Sequence, residues 1–519
     1  MDNIINEFLN NDKSLLIAPA GYGKTYTIVQ CIKKSEGKGK SLILTHTHAG
    51  VAALKNALKE QQIDKKCYEI ETITSYAQKY VKAYCAETLP EITDKNYWIF
   101  ILEKAEKIFN NTHIKDVIKK TYSQLFVDEY QDCTLSQHKV ILAISKSIPS
   151  HILGDPLQGI MDFNKKIDPL VSFYNDDLKD FVRTTELSIP HRWQKEGNNP
   201  TLGEYLVSIR KKLVDNLENG AKNEIDLADN PNSSFHFIKT SGSAYSYEGI
   251  NKETNIINKQ TKKRYTYKQL IKCLLENRNN SPDFESLLII SKSPYIRNKS
   301  QVEIRANLKS MLYYPALYLL EAIDEKSFYE LSNIADEIIT EGLSVDLKKL
   351  YNFLISLFNK TDIDNWINSA TYKIKRKIHE NDKIISAEIE KLIDEFNNSN
   401  QPILLGRIIE YFYFNLKLKC NRTEFIHSII TAIKTTEAGK SIYKTMIEQR
   451  NKFRRIGRKI DGKCLGTVAL TKGLEFDTVI ILDAETFRDP KELYVAMTRA
   501  CKNLIIFSQN TKLQPFKKK

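Results

Sequence analysis

One octapeptide near the N-terminus, APAGYGKT at residues 18–25, restricts the folds open to this chain more than any other feature. It follows a short apolar run, SLLIA at 14–18, and precedes a segment of helical character at 26–34. Gly21 and Gly23 let the backbone turn and direct its N–H groups at a phosphate, and the helix N-terminus adds positive potential. Strand, glycine loop and helix in this order predict a parallel α/β sheet with a phosphate-binding loop.

A second segment supplies the acidic partner that such a loop needs. Lys24 is expected to reach the β and γ phosphates, and Thr25 to bind Mg²⁺. The apolar run LFV at 125–127 ends in Asp128 and Glu129. Asp128 is placed to hold Mg²⁺ through water, and Glu129 to orient and activate an attacking water. We therefore predict ATP and Mg²⁺ as cofactors, with a nucleotide-binding set of Ala20, Gly21, Tyr22, Gly23, Lys24 and Thr25.

The strand-and-helix alternation continues along the chain. Further short apolar runs, typical of buried strands, occupy residues 41–44, 151–153, 235–238, 287–290, 479–482 and 504–507. Residues 76–120 contain helical patterns and no good strand candidate, and 305–455 show helical periodicity only. The pattern predicts two α/β regions with helical insertions.

Composition adds a weaker argument about partners. The chain has 519 residues, enough for several domains, and a formal net charge of +13. This surplus favours a polyanionic partner, because neutralising phosphates releases counterions. A genome whose nucleotide bias enriches Lys, Asn and Ile would produce the same surplus.

Targeting and redox features point to the inside of the cell. The eight cysteines are scattered without a CxxC pair, so a zinc site or disulfide framework is not expected. No secretory leader and no apolar run of membrane-spanning length occurs. We expect a cytoplasmic protein without a membrane partner.

Eight stretches resemble, in the same order, the motifs of superfamily 1A DNA helicases of the UvrD, Rep and PcrA type. Besides the phosphate loop and DEYQD at 128–132, they are THTHA at 45–49, TITSY at 72–76, GDPLQGI at 154–160, PHRW at 190–193, TVALTKGLEFD at 467–477 and LYVAMTRA at 493–500. Any one of them is weak alone. Together they span positions 18 to 500, and the resemblance therefore covers both α/β regions.

The resemblance implies roles at the nucleotide. Gln158 would touch the γ-phosphate and couple hydrolysis to the DNA site, and Arg192 and Arg499 would act as arginine fingers. Gly473 and Glu475 would contact the nucleotide from the second domain. The adenine would be sandwiched by Tyr26 and His191, which replace the Arg and Tyr of the family. The Gln that reads the adenine edge is not evident, and Asn3 stands at about its spacing.

The resemblance also implies a track for single-stranded nucleic acid. Phe163 stands where the family stacks a base, although a core position is the alternative. Thr47, Thr74 and Ser75 are candidates for phosphate contacts and His46 for a base contact, although helix capping explains the hydroxyls nearly as well.

Three further sequence features bear on how the nucleotide site is coupled to nucleic acid. Residues 159–164 (GIMDFN) lack two positive residues of the family, and Ala469 replaces its motif V His, so coupling to DNA could be altered. A basic run before motif V could hold a phosphate backbone, form a solvated helix face, or dock an acidic partner. It comprises Arg450, Lys452, Arg454, Arg455, Arg458 and Lys459.

These observations together predict an α/β protein of two RecA-like parallel-sheet domains with helical insertions. Domain 1A would comprise 1–75 and 121–190, with a small 1B insertion at 76–120. Domain 2A would comprise 191–304 and 456–519, interrupted by a helical 2B-like insertion at 305–455.

The expected function is an ATP-dependent single-stranded DNA translocase or helicase, with 3′→5′ polarity implied by the family. The substrate would be single-stranded or tailed duplex DNA. The compact layout also resembles helicase-like proteins of bacterial anti-phage systems, such as the GajB component of Gabija, which implies an OLD-type nuclease partner. The alternative is an ATP-hydrolysing nucleic-acid sensor that activates a partner without processive unwinding.

Overall fold

The computed structural model describes residues 2–90, 96–162, 166–228, 235–239, 245–246, 264–265, 286–291, 318–320, 326–343, 347–420, 423–456 and 462–516. The chain forms two compact units. The first spans residues 1–301, 307–318 and 459–519 and contains two parallel sheets. The second spans 302–306 and 319–458 and is helical in its described part.

Six parallel strands form the first sheet, in the order β3-β2-β4-β5-β1-β6. They are β1 (Lys13–Ile17), β2 (Ser41–Thr45), β3 (Tyr68–Thr72), β4 (Gln124–Val127), β5 (Ser150–Gly154) and β6 (Val182–Arg183). β2, β4 and β5 are buried along their whole length. Parallel strands covered on both faces need continuous apolar runs, and these segments supply them.

Helices connect and cover these strands. They are α1 (Asp2–Asn10), α2 (Lys24–Lys34), α3 (His48–Glu60), α4 (Ile73–Tyr84), α5 (Tyr97–Asn110), α6 (Thr112–Thr121), α7 (Leu135–Ile144), α8 (His191–Gln194) and α9 (Pro200–Glu218). The segment 76–120 is helical where it is described. Its residues Tyr76, Ala105 and Phe109 share one hydrophobic core with Leu44 and Val127 of the sheet.

The second sheet has the order β12-β13-β11-β14-β15-β8, and its pairings from β13 to β8 are parallel. Its strands are β8 (Phe235–Lys239), β11 (Leu287–Ser291), β12 (Tyr318–Leu319), β13 (Lys463–Gly466), β14 (Phe476–Leu482) and β15 (Ala500–Ser508). Two antiparallel pairs lie beside the sheets: β7 (Ile225–Asp226) with β16 (Lys512–Leu513), and β9 (Tyr245–Ser246) with β10 (Arg264–Tyr265). The predicted α/β class with two parallel sheets is confirmed.

The apolar runs predicted as strands all lie in β1, β2, β4, β5, β8, β11, β14 or β15. The sequence prediction omits β3, β13 and the two-residue strands β6, β7, β9, β10, β12 and β16. β3 (YEIET) lies at the sheet edge, where its polar residues keep partial exposure and interrupt the apolar run. β13 (KCLG) has only four residues and ends in glycine.

Seven described helices build the second unit: α10 (Lys326–Glu341), α11 (Lys348–Leu357), α12 (Lys360–Asp364), α13 (Glu380–Ser399), α14 (Pro402–Glu410), α15 (Thr423–Thr435) and α16 (Ile442–Ile456). They enclose a hydrophobic core of their own. Phe328 and Phe425 meet edge to face within it, with ring centroids 4.5 Å apart. These helices agree with the helical periodicity of 305–455, but the prediction of helix alone is wrong at Tyr318–Leu319, which forms the edge strand β12 of the second sheet.

Part of the basic run that ends this unit is not a surface feature. Arg450 is buried, lies 4.2 Å from the Phe328 ring centroid, and donates to the Ser428 hydroxyl. Its guanidinium therefore belongs to the core, while Lys452 is exposed. The side chains of Arg454 and Arg455, and residues Arg458 and Lys459, lie outside the described residues.

The boundaries given above for domains 1A, 1B, 2A and 2B remain predictions.

Two helices, α17 (Val468–Thr471) and α18 (Pro490–Met497), complete the second-sheet region. Among the described residues, none of the helices combines the length and apolarity required to cross a bilayer.

Candidate nucleotide-binding site

The loop between β1 and α2 has the geometry of a phosphate cradle. Gly21 has φ +79° and Gly23 φ +89°, the left-handed region that favours glycine. A Cβ on Gly21 would lie 2.8 Å from Cβ of Arg192, so a side chain would clash there. The loop turns directly into α2, whose first residue is Lys24. Free N–H groups at this helix end, together with the lysine, favour a bound anion.

Lys24 and Glu129 face each other across this loop. The Lys24 Nζ donates to the Ala18 carbonyl at 3.4 Å and lies 3.5 Å from Glu129 Oε1. Glu129 follows β4 with φ +54°, a conformation uncommon for a residue with a side chain. Such strained positions cluster at functional sites, because the surrounding structure holds them for a purpose other than stability.

The two carboxylates after β4 differ in their proton affinity. Burial, and then the charge of Glu129, raise the pKa of Asp128 to about 7. Burial also raises the pKa of Glu129, but Lys24 and Lys472 outweigh it and lower that pKa to about 2. Glu129 is therefore ionised at neutral pH, which a water-activating group requires.

A cavity of about 850 Å³ brings most of the predicted nucleotide residues together. Its wall comes from the phosphate loop, the residue that follows the end of β4, the segment after β5, the α8 region and the residues just before β14 and β15. The lining residues are Pro19, Ala20, Gly21, Gly23, Lys24, Thr25, Tyr26, Glu129, Gln158, Ile189, His191, Arg192, Gln194, Lys195, Gly473, Glu475 and Arg499. Tyr22 and Asp128 are buried and do not line it.

Arg192 joins the phosphate loop to the second sheet. Its backbone N–H donates to the Gly21 carbonyl at 2.9 Å, and its Nη2 pairs with Glu475 at 2.8 Å. Nη1 donates to the Thr498 carbonyl. Nε is buried and has no hydrogen-bond partner among the described residues. A buried donor of this kind, at the wall of a cavity, fits an anionic ligand.

Arg499 lies at the same cavity with only 1% of its surface exposed. It donates from Nε to Val495 O at 2.9 Å, from Nη1 to Leu474 O at 3.1 Å, and from Nη2 to Thr498 Oγ1 at 3.0 Å. Burial, and then the Arg192 charge, lower its pKa to about 10, so it stays charged at neutral pH. The two guanidinium groups thus place two positive charges at the cavity, which favours an anionic ligand in addition to the Glu475 carboxylate that pairs with Arg192.

Two of the three residues predicted near the adenine line the cavity, and the third does not. Tyr26, 49% exposed, and His191 both line the cavity and are available to stack on a base. Asn3 is exposed on α1 and is not among the lining residues. An adenine-reading amide at position 3 therefore has no support from the geometry.

The predicted nucleic-acid residues lie at the starts of α3 and α4. Thr47 caps α3, its hydroxyl accepting from Gly50 N at 3.1 Å. Thr74 and Ser75 begin α4, but the capping hydroxyl is that of Thr72, which accepts from Ser75 N at 3.1 Å. Capping thus explains Thr47, and Thr74 and Ser75 are not caps. Both helix starts still present positive potential to an anion.

The remaining two candidates are His46 and Phe163. The Nδ1 of His46 is buried and makes no hydrogen bond to a described residue, and burial lowers the His46 pKa despite the nearby Asp132. The residue as a whole is half-buried, and the base contact implied for it stays a prediction. Phe163 lies outside the described residues.

Sequence reasoning missed Lys472. Its Nζ donates to both carboxylate oxygens of Asp132, at 2.6 Å to Oδ1, and to the carbonyl of Gln158. The side chains of Lys472 and Asp132 are only 8% and 5% exposed. This residue links the segment before β14 to those after β4 and β5. The sequence indication was the Lys-Gly pair at 472–473, within the stretch TVALTKGLEFD. In the structure Gly473 has φ +82°.

The chain is similar to known proteins both in its first part and over most of its length. Residues 2–164 match a protein-family model described as an AAA domain. The chain is 25% identical over 435 residues to the ATP-dependent DNA helicase Rep of Buchnera aphidicola subsp. Acyrthosiphon pisum (strain APS), covering 76% of this chain and 64% of that protein. It is 23% identical over 475 residues to a subunit of the ATP-dependent helicase/nuclease of Lactococcus lactis subsp. lactis (strain IL1403), covering 81% and 38%.

The fold and the phosphate loop define a nucleotide-binding α/β protein with two parallel sheets. The relatives that the chain resembles are named as ATP-dependent helicases or as a subunit of one. The chain spans less than two thirds of the length of these relatives.

Proposed function

We propose that this protein is an ATP-dependent single-stranded DNA translocase or helicase. The observation that carries the proposal is the cavity whose wall includes Lys24 and Glu129 from the first sheet and Glu475 and Arg499 from the second. A cavity shared by two sheets changes shape when the sheets move, so nucleotide turnover can drive motion.

Each group at the cavity has a role in hydrolysis. Lys24 and the loop N–H groups would hold the phosphates, and Glu129 would take up a proton from the attacking water. Arg192 and Arg499 would stabilise charge on the transferring phosphoryl group. Gln158 would contact the γ-phosphate.

The donor set also fits a magnesium ion. The Thr25 hydroxyl and the Asp128 carboxylate are oxygen ligands of the type that Mg²⁺ prefers. When bound, Mg²⁺ would neutralise phosphate charge and orient the reacting group. The Asp128 carboxylate is buried beside Glu129, and a bound cation would stabilise both charges.

Single-stranded or tailed duplex DNA is the proposed substrate, with 3′→5′ movement. Support comes from the names of the relatives, which include DNA helicases, and from the net charge of +13. The starts of α3 and α4 offer Thr47, Thr74 and Ser75 to a phosphate backbone.

A strand-displacement assay on a 3′-tailed duplex tests the motor. The wild type should separate the strands, and Lys24→Ala should abolish both displacement and hydrolysis. Blunt and 5′-tailed duplexes serve as matched controls and should stay intact. ATP turnover that DNA does not stimulate, together with no displacement, would contradict the proposal.

The second candidate is an ATP-hydrolysing sensor that activates a partner nuclease. It is favoured by the absence of positive residues in GIMDFN at 159–164, since this weakens a continuous DNA track. Its signature is DNA-stimulated hydrolysis without strand displacement.

The proposal extends to a role in anti-phage defence beside a separate OLD-type nuclease. Its support is the compact motif layout and the basic run before β13, of which Lys452 is exposed. Affinity purification of the tagged chain from its native host should recover such a nuclease. Recovery of the chain alone would argue against this extension.

A further inference from the structure

Arg210 is a buried cation outside every motif of the sequence. It lies on α9, with 8% of its surface exposed, and its Nη1 donates to Asp155 Oδ1 at 2.8 Å. The Asp155 carboxylate has no exposed surface. Removing both charges from water is unfavourable unless further hydrogen bonds satisfy them. The other hydrogen bonds of Asp155 therefore show which parts of the protein this ion pair holds together.

Asp155 collects donors from three further groups. Its Oδ2 accepts from Ala20 N of the phosphate loop at 3.1 Å and from Gln158 Nε2 at 2.9 Å. Its Oδ1 accepts from Leu157 N at 3.2 Å. One carboxylate thus touches the phosphate loop, the segment that carries Gln158, and α9.

The Asp155 carboxylate fixes which end of the Gln158 amide faces it. A carboxylate accepts hydrogen bonds only, so it can face the NH₂ group and not the carbonyl oxygen. The carbonyl oxygen of Gln158 is thereby turned away from Asp155, on a side chain that lines the nucleotide cavity. Arg210 supplies the cation that pairs with this enclosed carboxylate.

Arg210 also contacts the second-sheet region. Its guanidinium carbon lies 5.4 Å from the ring centroid of Tyr494 on α18. The Tyr494 hydroxyl accepts from Ala20 N at 3.3 Å, the same N–H that reaches Asp155. Arg210 therefore lies where α9, α18 and the phosphate loop meet.

We propose that Arg210 is a positioning residue for ATP hydrolysis: through Asp155 it orients the amide of Gln158 and holds the phosphate loop at Ala20. The inference rests on the proposed hydrolytic function. Without the arginine, the enclosed Asp155 carboxylate would lose its cation and one of its hydrogen bonds, so it would no longer hold the Gln158 amide and the Ala20 N–H in fixed positions.

The first test compares Arg210→Met with Arg210→Lys. We expect Arg210→Met to lower kcat by ~10–100-fold, because misorientation of one group at a reaction centre has effects of this size. The dissociation constant for a fluorescent ATP analogue should change little. Arg210→Lys retains the charge and should recover most of kcat. Lys211→Met, an exposed neighbour on the same helix, is the matched control and should behave as the wild type.

A second variant separates positioning from folding. In Arg210→Met/Asp155→Asn no buried charge lacks its partner, so cooperative thermal unfolding should return towards that of the wild type. Its kcat should stay low, because an amide at position 155 both donates and accepts and leaves the Gln158 amide free to flip.

The outcomes are distinguishable. Wild-type kcat in Arg210→Met, or recovery of kcat together with stability in the double variant, would overturn the positioning role alone. Equal losses of kcat and analogue affinity without rescue by lysine would assign Arg210 a purely structural role and overturn it too. Absence of hydrolysis in the wild type itself, matching Lys24→Ala, would overturn the proposed function.

Discussion

At the residue scale, Lys472 and Asp132 form a buried ion pair between the segment before β14 and the segment after β4. Both side chains are almost fully enclosed, and the lysine also holds the Gln158 carbonyl. Burial raises the pKa of Asp132, and Lys472 opposes that rise. Each charge is therefore acceptable only in the presence of the other.

We predict that Lys472→Met destabilises the protein by ~3–5 kcal/mol, because it leaves a buried carboxylate without its cation. Lys472→Met/Asp132→Asn should recover much of this loss. Lys502→Met is the matched control: its 3.4 Å pair with Asp477 is partly exposed, so its removal should cost below ~1 kcal/mol. Urea unfolding of the three variants provides the measurement, and equal midpoints would refute the account.

A second prediction at this scale concerns pH. The Asp128 pKa rises from 3.8 to about 7 on folding, so the folded state binds the proton more tightly. Stability is consequently lost as pH rises between 3.8 and about 7, is lowest above that range, and is unaffected below it. Asp128→Asn should therefore raise the melting temperature of the nucleotide-free protein at about pH 8 but not at about pH 4.

The same variant should lose magnesium-dependent hydrolysis, because the amide no longer offers a charged ligand. Exposed Asp116→Asn is the control and should leave the pH dependence of melting unchanged. A stability gain for Asp128→Asn that is equal at both pH values would show that ionisation is not its cause.

At the scale of single elements, the phosphate loop combines two different demands on glycine. Gly21 has a left-handed backbone and no room for a Cβ, whereas the Cβ of a residue at Gly23 would meet His191 no closer than 3.6 Å. Gly37, between α2 and β2, also has a positive φ (+83°) but open space around it. The three positions therefore separate backbone strain from steric clash.

We predict graded effects of alanine at these glycines. Gly37→Ala should cost about 1–2 kcal/mol from backbone strain alone. Gly23→Ala should lose similar stability, and Gly21→Ala more, because the new methyl group would displace Arg192 and Trp193. Thermal melting and binding of a fluorescent ATP analogue check this order. Equal stability for Gly21→Ala and Gly37→Ala would contradict it.

Element prediction succeeded where burial imposes a local pattern. The strands enclosed on both faces, such as β4 and β14, are apolar runs and were recognisable. β3, at the edge, carries Glu69, which bonds Lys40, Lys79 and Tyr122. An edge strand needs no continuous apolar run, so its sequence resembles a loop.

On the scale of the whole molecule, the helical unit has a hydrophobic core separate from that of the first sheet. Large side chains such as Phe353, Phe396 and Phe425 are fully buried in it. A unit with its own core is able to fold by itself.

We therefore predict that a fragment of residues 319–458 folds alone. Circular dichroism should show a helical spectrum with a cooperative thermal transition. Phe425→Ala in the same fragment should lower the unfolding free energy by about 3–5 kcal/mol. A fragment without a cooperative transition would show that its stability depends on the rest of the chain.

The sequence by itself determined the phosphate loop, the acidic end of β4 and the α/β class. Each is a local property: glycine permits a positive φ, a buried strand must be apolar, and a lysine at a helix start faces the loop. Only the tertiary structure decided that Arg210 meets Asp155 and that Lys472 meets Asp132. These pairs join residues 55 and 340 positions apart. Separation of that kind leaves no periodic pattern, because the contact depends on how the two sheets pack and not on either segment alone.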